Sequence, residues 1–221
     1  MKLAFRALLK FLLGLLLVGA LLFLPAGTLH YPNAWLFLGI LFLPMLLLGA
    51  VLLFKAPALL EKRLQAKEGE GTQRGVVAIS GFLFLAGFVV AGLDHRLDWS
   101  RMPSWVVIVA SAVLLVSYAL YAEVMRENAY LSRTVEVQKD QRVVDTGLYG
   151  IVRHPMYAVT IWLFLAIPLV LGSWWSLLCF LPYIPVIAVR IRNEETVLEQ
   201  GLAGYAEYKT RVRYRLLPGI W

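Results

Sequence analysis

The sequence predicts an all-α polytopic membrane protein with five to six transmembrane helices. Hydrophobic residues make up 60% of its 221 positions and charged residues only 16%, and the mean hydropathy is +0.73. Several charge-free runs are long enough to cross a hydrocarbon core of about 30 Å. Lys and Arg gather on alternate loops, the pattern that sets topology in polytopic proteins.

The segments follow in order. Residues 11–54 contain no Lys, Arg, Asp or Glu, and Pro32 with Asn33 divides the run into two apolar stretches. Residues 75–93 and 102–122 supply two more. A last charge-free block, residues 155–189, is broken near Gly172-Ser173-Trp174-Trp175, which reads as a hairpin turn with interfacial aromatics. At about 1.5 Å per residue its 35 residues reach about 52 Å, whereas two crossings need about 60 Å. The hairpin is therefore short, and Pro168, Pro182 and Pro185 predict irregular geometry near its tip. Gly14 and Gly19, or Gly39 and Gly49, allow close helix contact without the four-residue spacing of a dimerisation motif.

Placing the N-terminus in the cytoplasm puts nineteen of the 21 Lys and Arg on that side, leaving only Arg96 and Arg101 outside. Both termini are then expected to be cytoplasmic, with six crossings or four plus a hairpin. A multi-pass protein of a prokaryotic inner membrane fits this pattern. The first apolar run continues too long for a signal peptide. The chain divides into an N-terminal part of four spans, residues 1–125, and a C-terminal part, residues 126–221, with the hairpin and a cytoplasmic tail.

The net charge of +7 is mostly topology signal, since the one dense basic run, residues 209–215, alternates with apolar residues beside a span. Anionic lipid is the expected contact, and no nucleic acid. The single Cys179 lies in an apolar run, which excludes a disulfide framework, and His30, His95 and His154 are too scattered for a metal site. There is no dinucleotide fingerprint, phosphate loop or nucleophile elbow.

Function is sought in the longest polar stretch, the 32 residues between Ala122 and Pro155. Residues 134–138 alternate as a strand does, Asp140-Gln141-Arg142 forms a polar patch, and Thr146-Gly147 permits a tight bend before Tyr149. Pro155 suits a first helical turn and sets Arg153 and His154 at the helix mouth, where free N–H groups favour a carboxylate-bearing ligand. A plainer reading has Arg153 anchoring to lipid phosphate and His154 capping the helix. The balance shifts because Arg190, Glu194 and Glu195 stand at the other end of the same hairpin, so topology alone brings the two polar groups together. Arg190 and Glu194, four apart, share a helical face and can pair.

These residues carry a resemblance. Val144-Asp145-Thr146-Gly147-Leu148-Tyr149, Arg153-His154-Pro155-Met156-Tyr157, Gly172-Ser173-Trp174-Trp175, Arg190-Ile191-Arg192-Asn193-Glu194-Glu195, Gly204-Tyr205 and the run from Val212 to Gly219 together resemble the isoprenylcysteine carboxyl methyltransferase family and its prokaryotic relatives. The likeness covers the chain from Asn128 onward, and Val159 stands where the motif of relatives usually continues to Gly.

The resemblance implies an integral-membrane methyltransferase using S-adenosylmethionine, held in a pocket formed by the hairpin and a cytoplasmic helix. By similarity Gln138, Gln141, Arg142, Val143, Val144, Tyr149, Arg153, His154, Pro155, Met156, Tyr157 and Glu194 would surround the cofactor, with Arg190 and Glu195 toward the acceptor. Carboxyl O-methylation of a lipid-like or isoprenoid-bearing acceptor entering from the bilayer is the expected reaction. Such a transfer needs mainly alignment, which can supply roughly 7 to 11 kcal/mol. Methylation of a phospholipid amine is the alternative within the superfamily, and there Glu195 would be wanted as a base. A sterol-reductase-like NADPH enzyme is disfavoured by length. A small transporter or assembly protein is disfavoured because ionisable groups lie at one face and not inside the spans.

Overall fold

The computed structural model describes residues 2–64, 71–131 and 137–221. Most of the segment expected to alternate like a strand, residues 134–136, lies outside the described residues. The described chain is helical, without strands.

Four long helices come first: α1 (Lys2–Ala26), α2 (Pro32–Lys55), then after the short α3 (Pro57–Leu64), α4 (Gly71–Leu97) and α5 (Ser104–Glu127). A single 3-10 turn at Gly147–Gly150 precedes α6 (Pro155–Leu171), α7 (Trp174–Phe180), α8 (Tyr183–Gly201) and α9 (Tyr205–Arg211). Among the described residues five stretches are long and apolar enough to cross a membrane, the fifth being Trp174–Gly201, formed by α7 and α8 together. The helix α6 has 17 residues, about 25 Å at 1.5 Å per residue, and falls short of a full crossing. Only the first leg of the hairpin is short, because the second continues through its polar end as α8. Pro182 stands at the break between α7 and α8.

Outward faces of α1, α2, α4 and α5 are lined by Leu16, Leu43, Leu47, Phe82, Ile108 and Val116, all exposed, as lipid contact requires. Exposed Trp35, Trp99, Trp105, Trp174 and Trp175 belong to the ends of helices and turns at one pole of the bundle, where indole rings suit an interface.

Hydrocarbon offers helices no hydrophobic drive to associate, so close packing must hold the bundle. The best-packed pairs are α5 with α6, α1 with α4, and α4 with α7. The glycines that permit this are Gly87 and Gly92. A Cβ at Gly92 would lie 2.5 Å from the Leu22 carbonyl oxygen, and one at Gly87 2.3 Å from the Phe180 ring. Gly19, Gly39 and Gly49, which the sequence offered as contact points, face open space. Phe84 joins the layers, its ring 4.4 Å from that of Phe164 and 5.1 Å from that of Phe180.

The hairpin turn is fastened at the tryptophan pole. Gly172 adopts φ +79° as the residue ending α6, a conformation cheap only for glycine. Buried Asp94 accepts hydrogen bonds from Ser100 N (2.8 Å), Ser100 Oγ (2.6 Å) and Ser173 Oγ (2.5 Å). Ser173 Oγ in turn accepts from Ser176 N at 3.0 Å, capping α7. Tyr31 donates to the Leu171 carbonyl at 2.7 Å. This network sets the depth of α6, and with it the position of the residues at its other end.

Candidate active site

At the opposite pole the end of α5, the segment before the 3-10 turn, the start of α6, the end of α8 and α9 surround a solvent-open cleft. Its wall includes Gln141, Arg142, Val143, Val144, Tyr149, Arg153, His154, Met156, Tyr157, Arg190 and Glu194. Topology thus brings both ends of the hairpin to one cavity.

The polar centre is a chain of three side chains. Arg190 Nε donates to the Tyr157 hydroxyl at 2.8 Å, and that hydroxyl donates to Glu194 Oε2 at 2.5 Å. Tyr157 lies on the first turn of α6 and Arg190 and Glu194 lie one turn apart on α8, so the phenol oxygen ties the two helices together. The guanidinium carbon of Arg190 also lies 5.9 Å from the Tyr157 ring centroid. Glu194 keeps a quarter of its side chain exposed, so this carboxylate faces the cleft.

Glu195, the next residue, points elsewhere. Its Oε1 accepts from Arg153 Nε at 2.7 Å and lies 3.2 Å from His154 Nε2, while its Oε2 accepts from Arg215 Nε at 2.8 Å. Arg153 further donates through Nη1 to the carbonyls of Val212 (2.7 Å) and Arg213 (2.8 Å). Backbone bonds from Arg153 N to Tyr214 O and from His154 N to Arg215 O, both 2.9 Å, lay the C-terminal segment beside the helix mouth. A carboxylate as buried as Glu195, 3% exposed, is tolerable only with such partners. Glu195 does not line the cleft, although sequence reasoning set it toward the acceptor. His154 occupies the N-cap position of α6, yet its side chain makes no capping bond.

Two more expected residues lie outside the wall. Gln138 braces the loop, its N donating to Gln141 Oε1 at 2.8 Å and its Nε2 to Tyr130 O at 2.5 Å. Pro155 is buried in the first turn of α6. Residues that sequence reasoning left out of the site complete the wall: Asn128, Tyr130, Leu131, Leu198, Leu202, Tyr205 and Tyr208. Only Tyr205, within the Gly204-Tyr205 motif, carried a prior signal. The others are ordinary apolar or aromatic residues whose role depends on the fold.

Most tyrosines around the cleft have hydrogen-bond partners. Tyr208 donates to the Tyr149 carbonyl at 2.7 Å, and Asn128 Nδ2 donates to the Tyr149 hydroxyl at 3.0 Å. Tyr205 differs: its hydroxyl is buried and finds no partner among the described residues. Leaving such a group unsatisfied costs about 1–3 kcal/mol. Burial, and next the charge of Glu195, raise its pKa well above the ordinary phenol value, so it stays protonated.

Val159 is buried within α6.

A comparison with protein families matches residues 105–203 to the phospholipid methyltransferase family. No curated protein matches the chain. The matched segment runs from α5 through α8 and contains the Tyr157, Arg190 and Glu194 chain. The geometry and the matched segment coincide: over residues 105–203, a little under half of its length, the chain is similar to the phospholipid methyltransferase family, which lies in the same integral-membrane methyltransferase superfamily as the isoprenylcysteine carboxyl methyltransferases.

Proposed function

We propose that this chain is an S-adenosylmethionine-dependent methyltransferase whose cleft holds the methyl donor on the cytoplasmic side and whose acceptor is a lipid-like molecule arriving from the bilayer. The observation that carries the reading is the Arg190, Tyr157 and Glu194 chain set into a cleft at the polar pole of a lipid-facing bundle. The cleft suits such a donor: it offers a carboxylate, guanidinium groups, apolar walls and a buried hydroxyl without a partner among the described residues. When bound, the cofactor supplies a methyl group already activated on a sulfonium.

The protein's own contribution is then alignment and exclusion of water. Glu194 and Gln141 are placed to accept and donate hydrogen bonds at the cleft wall, and Leu198, Leu202, Val143 and Val144 exclude water. Arg190 is held by Tyr157 with its planar donor array beside the cleft, an arrangement suited to orienting an acceptor carboxylate. Glu195 serves as a positioning residue, holding Arg153, His154 and Arg215 in register.

Two acceptor classes compete. A carboxylate needs no base and would use Arg190. The match to phospholipid methyltransferases favours an amine, which must lose a proton before attack. Glu194, being on the wall, is then better placed than Glu195 to receive that proton.

Incubating the purified protein with methyl-labelled S-adenosylmethionine and either an isoprenylcysteine analogue or phosphatidylethanolamine vesicles separates the cases. A methyl ester releases label as methanol in base, whereas a methylamine retains it. Labelling of neither acceptor, together with no binding of the methyl donor, would sink the reading.

A further inference from the structure

The cleft has two chemically different ends. The polar groups Arg190, Glu194 and His154 come from α8 and the entrance of α6, while Tyr205 packs with Leu202, Tyr208 and Val212, against which Val143 and Leu198 also lie. Gly204, with φ +82°, is the N-cap residue before α9 and turns the chain so that Tyr205 enters this apolar end. The Tyr205 ring is tilted against that of Tyr208 at 5.7 Å between centroids, which leaves it little room to swing.

Its ring is therefore fixed in an apolar wall, while its hydroxyl, within electrostatic reach of Glu195, Glu194 and Arg153, is buried at the edge of that wall without a hydrogen-bond partner among the described residues. Native buried polar groups are paired almost without exception, so an orphan at a cleft wall marks a place where a ligand atom belongs. An apolar, aromatic-lined space with one donor at its edge fits a flat nitrogen heterocycle better than a charged amino-acid group, which the opposite end serves.

We propose that the Tyr205 hydroxyl donates a hydrogen bond to an acceptor atom of the purine ring of the methyl donor, making it a cofactor-selecting residue. This inference rests on the methyl-donor reading above.

The test uses the full-length protein in detergent, with Tyr205→Phe removing only the oxygen. Calorimetric titration with S-adenosylhomocysteine and with methylthioadenosine, which lacks the amino-acid end, should show both affinities weakened by the same factor, about three- to tenfold. The thermal midpoint of the ligand-free variant should match or exceed that of the wild type, because the lost hydroxyl has no partner among the described residues.

Unchanged affinities in the variant would overturn the inference and leave the methyl-donor reading standing. A loss confined to S-adenosylhomocysteine, or a wild type that binds that compound and not methylthioadenosine, would overturn the assignment to the purine. A lowered midpoint in the ligand-free variant would show a structural bond and overturn the inference as well. Wild-type protein that binds neither compound would overturn the methyl-donor reading itself.

Discussion

Arg153 and Glu195 form a buried ion pair, Nε to Oε1 at 2.7 Å, with about 5% and 4% of their side chains exposed. It joins the entrance of α6 to the end of α8, forty-two positions apart in sequence, and Arg215 completes it from the C-terminal segment. The pair ties the two ends of the hairpin together beside the cleft.

Removing one member leaves the other buried without its counter-charge. Glu195→Ala should lower stability by about 3–5 kcal/mol. Thermal unfolding in detergent would show this as a clear drop in the midpoint, and a midpoint equal to wild type would contradict the role given to the pair. Glu195→Gln should recover part of the loss, since an amide oxygen can still accept from Arg153.

Tyr157→Phe deletes the oxygen that Arg190 and Glu194 share. With a donor and an acceptor both left without it, methyl transfer should fall roughly 10- to 100-fold, the equivalent of about 1–3 kcal/mol. Arg190→Lys should also be costly, because an ammonium cannot reproduce the planar donor array. Steady-state turnover with cofactor affinity measured alongside would check both, and near-normal turnover of either variant would argue against the shared-oxygen arrangement.

Alkaline pH should unfold the protein through its buried phenols. Burial raises the pKa of Tyr205 and Tyr208 above the ordinary value near 10. A group with a raised folded pKa contributes stability fully below its unfolded pKa and loses it as pH rises through the folded pKa. Above pH 10 the unfolded chain releases these protons first, so stability should decline with pH, by up to about 1.4 kcal/mol per unit for each phenol. In a chemical denaturation series at pH 10 to 12, Tyr205→Phe should show a shallower decline than wild type. Identical slopes would mean that Tyr205 does not titrate abnormally.

Close approach of α1 and α4 depends on Gly92. A methyl group there meets the Leu22 carbonyl oxygen at 2.5 Å and Pro25 at 3.0 Å, and neither is a flexible chain end. Gly92→Ala should destabilise by about 1–3 kcal/mol. Gly39→Ala, on a helix surface with nothing within 4 Å, should be tolerated. The two midpoints compared side by side provide the check, and equal effects would show that the α1 and α4 contact is not tight.

Much of the architecture was legible because hydrocarbon imposes it. Charge-free runs such as residues 11–54 can satisfy their backbone groups only as helices, and a proline or glycine marks where each must turn. The pairing of the two hairpin ends followed from connectivity, since a chain that crosses and returns brings Arg153 near Arg190 whatever its packing. Ten of the twelve residues expected around the cofactor line the cleft, because local motifs place them on the first turns of a helix or in the segment before it.

What the sequence could not determine is which way a side chain points. Glu194 and Glu195 are chemically alike and adjacent, yet successive helical positions differ by about 100°. One therefore reaches the cleft while its neighbour turns into a cluster of three basic side chains. The same holds for glycine: Gly39 and Gly87 look equivalent as letters, and only helix packing puts a phenyl ring against the second. Tyr205 gained its meaning last, because an unpaired hydroxyl is defined by everything around it. The order of residues is enough to set out the membrane-crossing helices and the polar groups they return to one pole. Tertiary structure decided which of those groups face the cleft and which hold it open, since rotation and contact distance arise only when the helices pack.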